Sequence, residues 1–142
     1  MRYVIGYGNE LRVEDAFGFD VVSKLDSKDL TNIKILSLYQ LTPEIVLDLL
    51  DADEVIFIDA LYSIENKYAI ACSLYEHTKD SLSLTHHISY KVIIHMLNNL
   101  YDRFPKYEVY SMLTNNFEKA GDTAKYKKSI DQVVNHLTRK LK

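Results

Sequence analysis

The stretch GYGNELRVEDAFG, Gly6 to Gly18, holds three of the chain's four glycines beside Asn9 and the adjacent acids Glu14 and Asp15. Two further stretches add side chains that could do chemistry. VIFID ends an apolar run on Asp59, and SLTHHIS carries His86 and His87. One imidazole and two carboxylates can hold a borderline divalent ion such as Zn²⁺ or Ni²⁺ and leave coordination positions open. Each residue alone also has a plainer reading. Glu14 and Asp15 stand where acids begin a helix by accepting N–H bonds. A carboxylate closing an apolar strand needs a cation or hydrogen-bond donors, and loop N–H groups would serve Asp59. A protonated histidine at a helix start opposes the dipole, so a neutral imidazole, metal-bound or hydrogen-bonded, is expected at 86 or 87.

Other chemistries fit less well. Gly6-x-Gly8 after a strand invites comparison with the dinucleotide fingerprint, but the third glycine would fall on Leu11, and polar residues continue to Asp15 before a helix begins. Phosphate binding needs bare backbone and a helix N-terminus at that turn. No GK[ST] motif occurs. The sequence offers no Ser/His/Asp triad, and the single cysteine, Cys72, falls mid-strand. One cysteine excludes an internal disulfide and a cysteine-based zinc cluster. In KYAIACSLYE it is expected to be a small buried hydrophobe.

These residues need elements to position them. RYVIG (Arg2–Gly6), IKILSL (Ile33–Leu38), EVIFIDA (Glu54–Ala60), KYAIACSLYE (67–76) and YEVYSML (Tyr107–Leu113) read as five strands. The continuous apolar run of the third predicts a strand covered on both faces, as in a parallel sheet. Helical spacing places Phe17, Val21, Val22 and Leu25 on one face and Ile45, Val46, Leu49 and Leu50 on another. Thr42-Pro43-Glu44 has the chemistry of a helix start: a hydroxyl cap, a proline at the first position and an acid in the first turn. A third helix after His86 carries Val92, Ile93, Met96, Leu97 and Leu100. A fourth, from about Asp122, carries Tyr126, Ile130, Val133, Val134, Leu137 and Leu141. Strands alternating with helices predict an α/β fold, a three-layer αβα sandwich with a mostly parallel five-stranded sheet. In such sheets ligands bind beyond the carboxyl ends of the strands. Asp15, Asp59 and His86 or His87 are all predicted at that edge.

At 142 residues and 47% hydrophobic content the chain suits one domain, residues 1–142, with a single respectable core. A net charge of −3 argues against a nucleic-acid module. The C-terminal lysines belong to an amphipathic helix, whose dipole they complement. The N-terminus enters a strand pattern at once, unlike a signal peptide, and no run approaches the roughly 20 apolar residues of a membrane helix. A cytoplasmic location without membrane insertion is expected.

Gly6-x-Gly8-Asn9-x-Leu11-x-x-Glu14-Asp15-Ala16-x-Gly18 resembles the N-terminal signature of the hydrogenase maturation proteases, roughly GxGNxLxxDDGxGxxV. VIFIDALY resembles that family's strand ending in aspartate, and SLTHHIS its S/T-x-H segment before a helix. The three segments fall in the family's order through about residue 100. The resemblance implies a nickel-dependent endopeptidase that removes a C-terminal extension from the large-subunit precursor of a [NiFe] hydrogenase after nickel insertion. Nickel would be carried by the substrate, with zinc or cadmium able to substitute. Carried over by position, the metal-contacting residues would be Asp15, Asp59 and His86, His87 falling at a variable position. Two routes stay open: a bound divalent ion polarises the scissile carbonyl or lowers the pKa of bound water, or nickel mainly positions the substrate while Asp15 or Asp59 serves as general base. Gly6, Gly8 and Asn9 would form a substrate-facing loop. Tyr39, Tyr62 and Tyr90 could line the groove or pack as ordinary aromatics. Two departures stand out. Ala16 replaces the usual glycine, where positive φ would be unfavourable, and Tyr39-Gln40-Leu41-Thr42-Pro43 lacks a Gly-rich loop. A non-catalytic assembly module of the same fold is the alternative, and Ala16 is its only support.

Overall fold

The computed structural model describes residues 1–64, 67–73, 88–117 and 121–142. From the N-terminus run β1 (Arg2–Tyr7), a 3-10 turn (Val13–Ala16), α1 (Phe17–Asp26), β2 (Ile33–Leu38), α2 (Ile45–Asp48) and β3 (Glu54–Tyr62). They are followed by β4 (Ile70–Ser73), α3 (Tyr90–Tyr101), β5 (Lys106–Thr114) and α4 (Thr123–Leu141). The strands form one sheet in the order β2-β1-β3-β5-β4, parallel throughout except for β4, which runs antiparallel to β5 at the edge. From β1 the chain crosses to β2 on one side and then to β3 on the other. The boundary between β1 and β3 is therefore the point where the winding reverses and a crevice opens above the strand ends.

The alternation of strand side chains divides the apolar residues into two layers. Val4, Ile56, Ile58 and Met112 pack with Phe17, Val21 and Leu25 of α1 and with Val133, Val134, Leu137 and Leu141 of α4. On the opposite face Tyr3, Ile5, Val55, Phe57 and Val109 pack with Val46 of α2, Leu49, and Ile93 and Leu97 of α3. Val55 to Ile58 are buried without interruption, as their apolar run requires. The three-layer sandwich expected from the sequence is the observed architecture.

Three local expectations change. The Thr42-Pro43-Glu44 start opens a helix of one turn, Ile45–Asp48, without a side-chain cap on the backbone. Its N–H bonds run to carbonyls three residues back, from Ile45 to Thr42 (3.2 Å) and from Val46 to Pro43 (3.1 Å). Such tight turns do not extend far. Ile45, Val46 and Leu49 are nevertheless buried. The third helix begins at Tyr90 after an extended Ser89 and ends at Asp102, which takes a left-handed conformation at φ 54°. Cys72 is exposed rather than buried. It sits in the edge strand, where a cavity of about 360 Å³ opens among Cys72, Tyr110, His136 and Arg139. The fourth helix is as expected, with Asp122 accepting the Lys125 N–H at 3.1 Å.

Candidate active site

Asp59 stands one residue past the last β3 position paired with β1, and opposite Ser111 of β5. Ser111 Oγ donates to its Oδ1 at 2.6 Å, and the Tyr7 hydroxyl donates to its Oδ2 at 2.9 Å. Two donors to the carboxylate thus come from the neighbouring strands β1 and β5. Alternation explains the convergence: Tyr7, Asp59 and Ser111 share the sheet face of Ile5, Phe57 and Val109. Burial first, and the Asp59 carboxylate second, push the Tyr7 hydroxyl well above its ordinary pKa. It therefore stays a donor at neutral pH. Tyr7 also meets Phe57 edge-on, with ring centroids 6.5 Å apart, which fixes the phenol.

Asp15 reaches the same edge on the 3-10 turn, whose Cα atoms lie within 8 Å of β3. It does not cap α1, which has no side-chain cap. Its Oδ2 instead accepts the Asn9 N–H at 3.0 Å, tying the turn back onto the preceding loop. Asn9 organises the rest of that loop. Its Oδ1 accepts the Leu11 N–H at 2.9 Å, and its Nδ2 donates to the Tyr39 hydroxyl at 3.0 Å.

The glycines make room for the chain itself. A Cβ on Gly6 would lie 2.2 Å from the Gly18 carbonyl oxygen, and one on Gly18 would lie 2.5 Å from that of Ile58. Gly8, at φ +148°, brings the backbone so near the turn that a Cβ would meet the Asp15 carbonyl oxygen at 2.2 Å. Ala16 needs no such freedom. Its φ is −76°, so alanine there carries no strain and is no sign of a degenerate site. The strain falls on Val13, a β-branched residue at φ 46°. A residue held there costs on the order of 1–3 kcal/mol and persists only where its surroundings impose it.

The adjacent acid Glu14 turns the other way. It is only 3% exposed, with Thr114 Oγ1 donating to Oε1 at 2.5 Å and the Tyr68 hydroxyl donating to Oε2 at 2.9 Å. Burial and this bond raise the pKa of Tyr68. Above the loop, Arg12 lies over the Phe117 ring at 5.6 Å, and Tyr62 meets that ring edge-on at 6.4 Å. Tyr39 and Tyr62 are exposed at the rim, whereas Tyr90 is a core residue packed against Phe57 and Tyr107. His86 and His87 lie outside the described residues. Tyr7 and Ser111 were not singled out from the sequence, and Glu14 was read there only as an acid at a helix start, although an aspartate ending an apolar strand does signal that donors must converge on it.

The fold and the placement of these carboxylates define an α/β sandwich with an acidic crevice at its winding-reversal point. No family model and no curated protein matches the chain. Solved structures do. The [NiFe] hydrogenase maturation protease HycI from Thermococcus kodakarensis superposes with a TM-score of 0.76 at 18% identity, over 99% of this chain and 91% of that one. The hydrogenase maturating endopeptidase HybD from E. coli gives a TM-score of 0.71 at 21% identity, over 98% and 93%. The hydrogenase 2 maturation peptidase from a Thaumarchaeota archaeon gives 0.63 at 18%, over 96% and 97%. At these identities the likeness establishes the fold: the chain is built as the hydrogenase maturation proteases are.

Proposed function

We propose that the chain is an endopeptidase that removes the C-terminal extension of a [NiFe] hydrogenase large-subunit precursor once nickel has been inserted. One observation carries the reading. A chain with the fold of those proteases brings Asp15 and Asp59 to the same edge of the sheet, on the loop and strand where its resemblance to them begins. The donor set suits the substrate. Two carboxylates, together with the imidazole of His86 that the resemblance adds, would suit a borderline divalent ion, and nickel would enter with the precursor. Tyr7 and Ser111 orient Asp59 in the way outer partners orient a metal-binding carboxylate.

In this reading Asp15, Asp59 and His86 recognise the loaded precursor and hold its scissile peptide in the crevice, so that rate comes from proximity. Asp15 or Asp59 then takes the proton of the attacking water as its oxygen bonds to the scissile carbonyl carbon, and gives it to the leaving nitrogen as the C–N bond breaks. The Gly6–Asn9 loop and the exposed Tyr39 and Tyr62 border the path of the extension. The reaction takes place in the cytoplasm. Among the described residues no helix is long and apolar enough to cross a membrane.

The test is cleavage of nickel-loaded precursor by the wild-type chain and by folded Asp15→Ala, Asp59→Ala and His86→Ala variants. Each variant is expected to lose activity on the order of a hundredfold or more. Normal tail removal by any of them would refute the role assigned to that residue, and inactivity of the wild-type chain would refute the function.

A further inference from the structure

We infer that Glu14 is a positioning residue: its buried carboxylate clamps the strained Val13–Ala16 turn and so holds Asp15 at the crevice. Three bonds make the clamp. Two are the hydroxyl donations from Thr114 and Tyr68; the third runs from the Glu14 N–H to the Asn116 carbonyl oxygen at 3.3 Å. Tyr68 is itself fixed from several sides. Its hydroxyl accepts from Asn116 Nδ2 at 3.1 Å and from the Asp122 N–H at 2.7 Å, and its carbonyl accepts from Ser129 Oγ at 3.0 Å. Glu14 thereby ties the site turn to the end of β5, the start of α4 and the approach to β4.

A carboxylate is an expensive way to fill such a position. An apolar side chain of similar size would pack there without desolvating a charge. What the carboxylate adds is direction, because it fixes the turn from both its oxygens. That constraint accounts for Val13, whose left-handed conformation an unclamped chain would relax. The next residue inherits the result. The Asp15 carbonyl lies under Gly8, and its carboxylate meets the Asn9 N–H, so any rotation of the turn is registered at Asn9. The consequence for catalysis rests on the role proposed for Asp15; the placement of Asp15 does not.

Amide hydrogen exchange at Asn9, followed by NMR in the full chain, tests the placement. Glu14→Ala is expected to lower Asn9 protection by about tenfold or more relative to the amides of β1 and β3. Adding Val13→Gly should recover most of that loss, since glycine holds positive φ without strain and the turn then persists unclamped. If Glu14→Ala fails to fold, Tyr68→Phe, which removes one hydroxyl, should lower Asn9 protection about threefold, again recovered by Val13→Gly. Unchanged Asn9 protection in a folded variant, or a loss that Val13→Gly leaves in place, overturns the proposal. Cleavage kinetics provide a separate reading: kcat should fall with KM little changed and return with Val13→Gly. A wild-type chain that cleaves no precursor would count against the proposed function alone, because the exchange experiment decides the placement without any substrate.

Discussion

Ser111→Ala tests the geometry of the crevice most directly. Ser111 is 2% exposed, and its hydroxyl donates to Asp59 at 2.6 Å. A hydrogen bond to a charged group contributes roughly 1.5–3 kcal/mol. Asp59 is only half-buried and water can replace part of that bond, so the lower end applies, about 1.5 kcal/mol. For a domain of this size that corresponds to a fall in Tm of about 5 °C. The same substitution should behave differently once Asp59 is alanine. There the Ser111 hydroxyl is a buried donor deprived of its acceptor, an arrangement costing roughly 1–3 kcal/mol. Removing it should then be neutral or stabilising. Urea unfolding of the four chains in the cycle, followed by circular dichroism, yields the coupling energy, expected to exceed about 1 kcal/mol. An equal loss in both backgrounds would show that the hydroxyl does not serve Asp59.

Three further outcomes are expected. Gly8→Ala should destabilise the chain by roughly 2 kcal/mol or more, because φ +148° and the nearby Asp15 carbonyl both exclude a Cβ; a neutral result in thermal melts would contradict the close approach. Stability should decline as the pH rises above 10. Tyr3 is pushed up to about 12, mainly by burial and then by its bond to Asp51, and Tyr7, Tyr68, Tyr110 and Tyr126 are also raised. The folded chain thus keeps protons that the unfolded chain has lost, and unfolding gains with each step of pH. Tyr3→Phe should flatten part of that decline in melts recorded from pH 9 to 12, and an unchanged slope would remove Tyr3 from the account. Finally, a thiol reagent should label Cys72 in the native chain at a rate approaching that in urea; labelling confined to the unfolded chain would contradict its exposure at the sheet edge.

The elements were legible where periodicity and strand composition agreed. The apolar run Val55–Ile58 could only be a covered strand, and the spacing from Ile130 to Leu141 could only be a helix with one wet face. Cys72 shows where this reasoning stops. A short apolar run looks the same in a central strand and an edge strand, and only the strand order decides which side chains are covered. At the site, the sequence marked Asp15 and Asp59 as acids at one sheet edge. Their partners were not legible, because Tyr7 and Ser111 each lie 52 residues from Asp59 and are brought to it by parallel register. Nor could composition distinguish the outward acid from the buried one in Glu14-Asp15. The strain at Val13 was hidden for the opposite reason, since a β-branched residue argues against the conformation it adopts.

The contact between Gly6 and Gly18 closes the site loop at its base like the neck of a purse. Residues 13–18 are pinned beneath it to β3 and β5, while Leu11, 87% exposed, stands out at the tip. The two halves of the loop therefore answer to different pressures. The exposed side chains of Glu10 and Leu11 can be rewritten to suit a new surface without moving either carboxylate, so a chain of this fold can vary the tip of the loop while keeping its base.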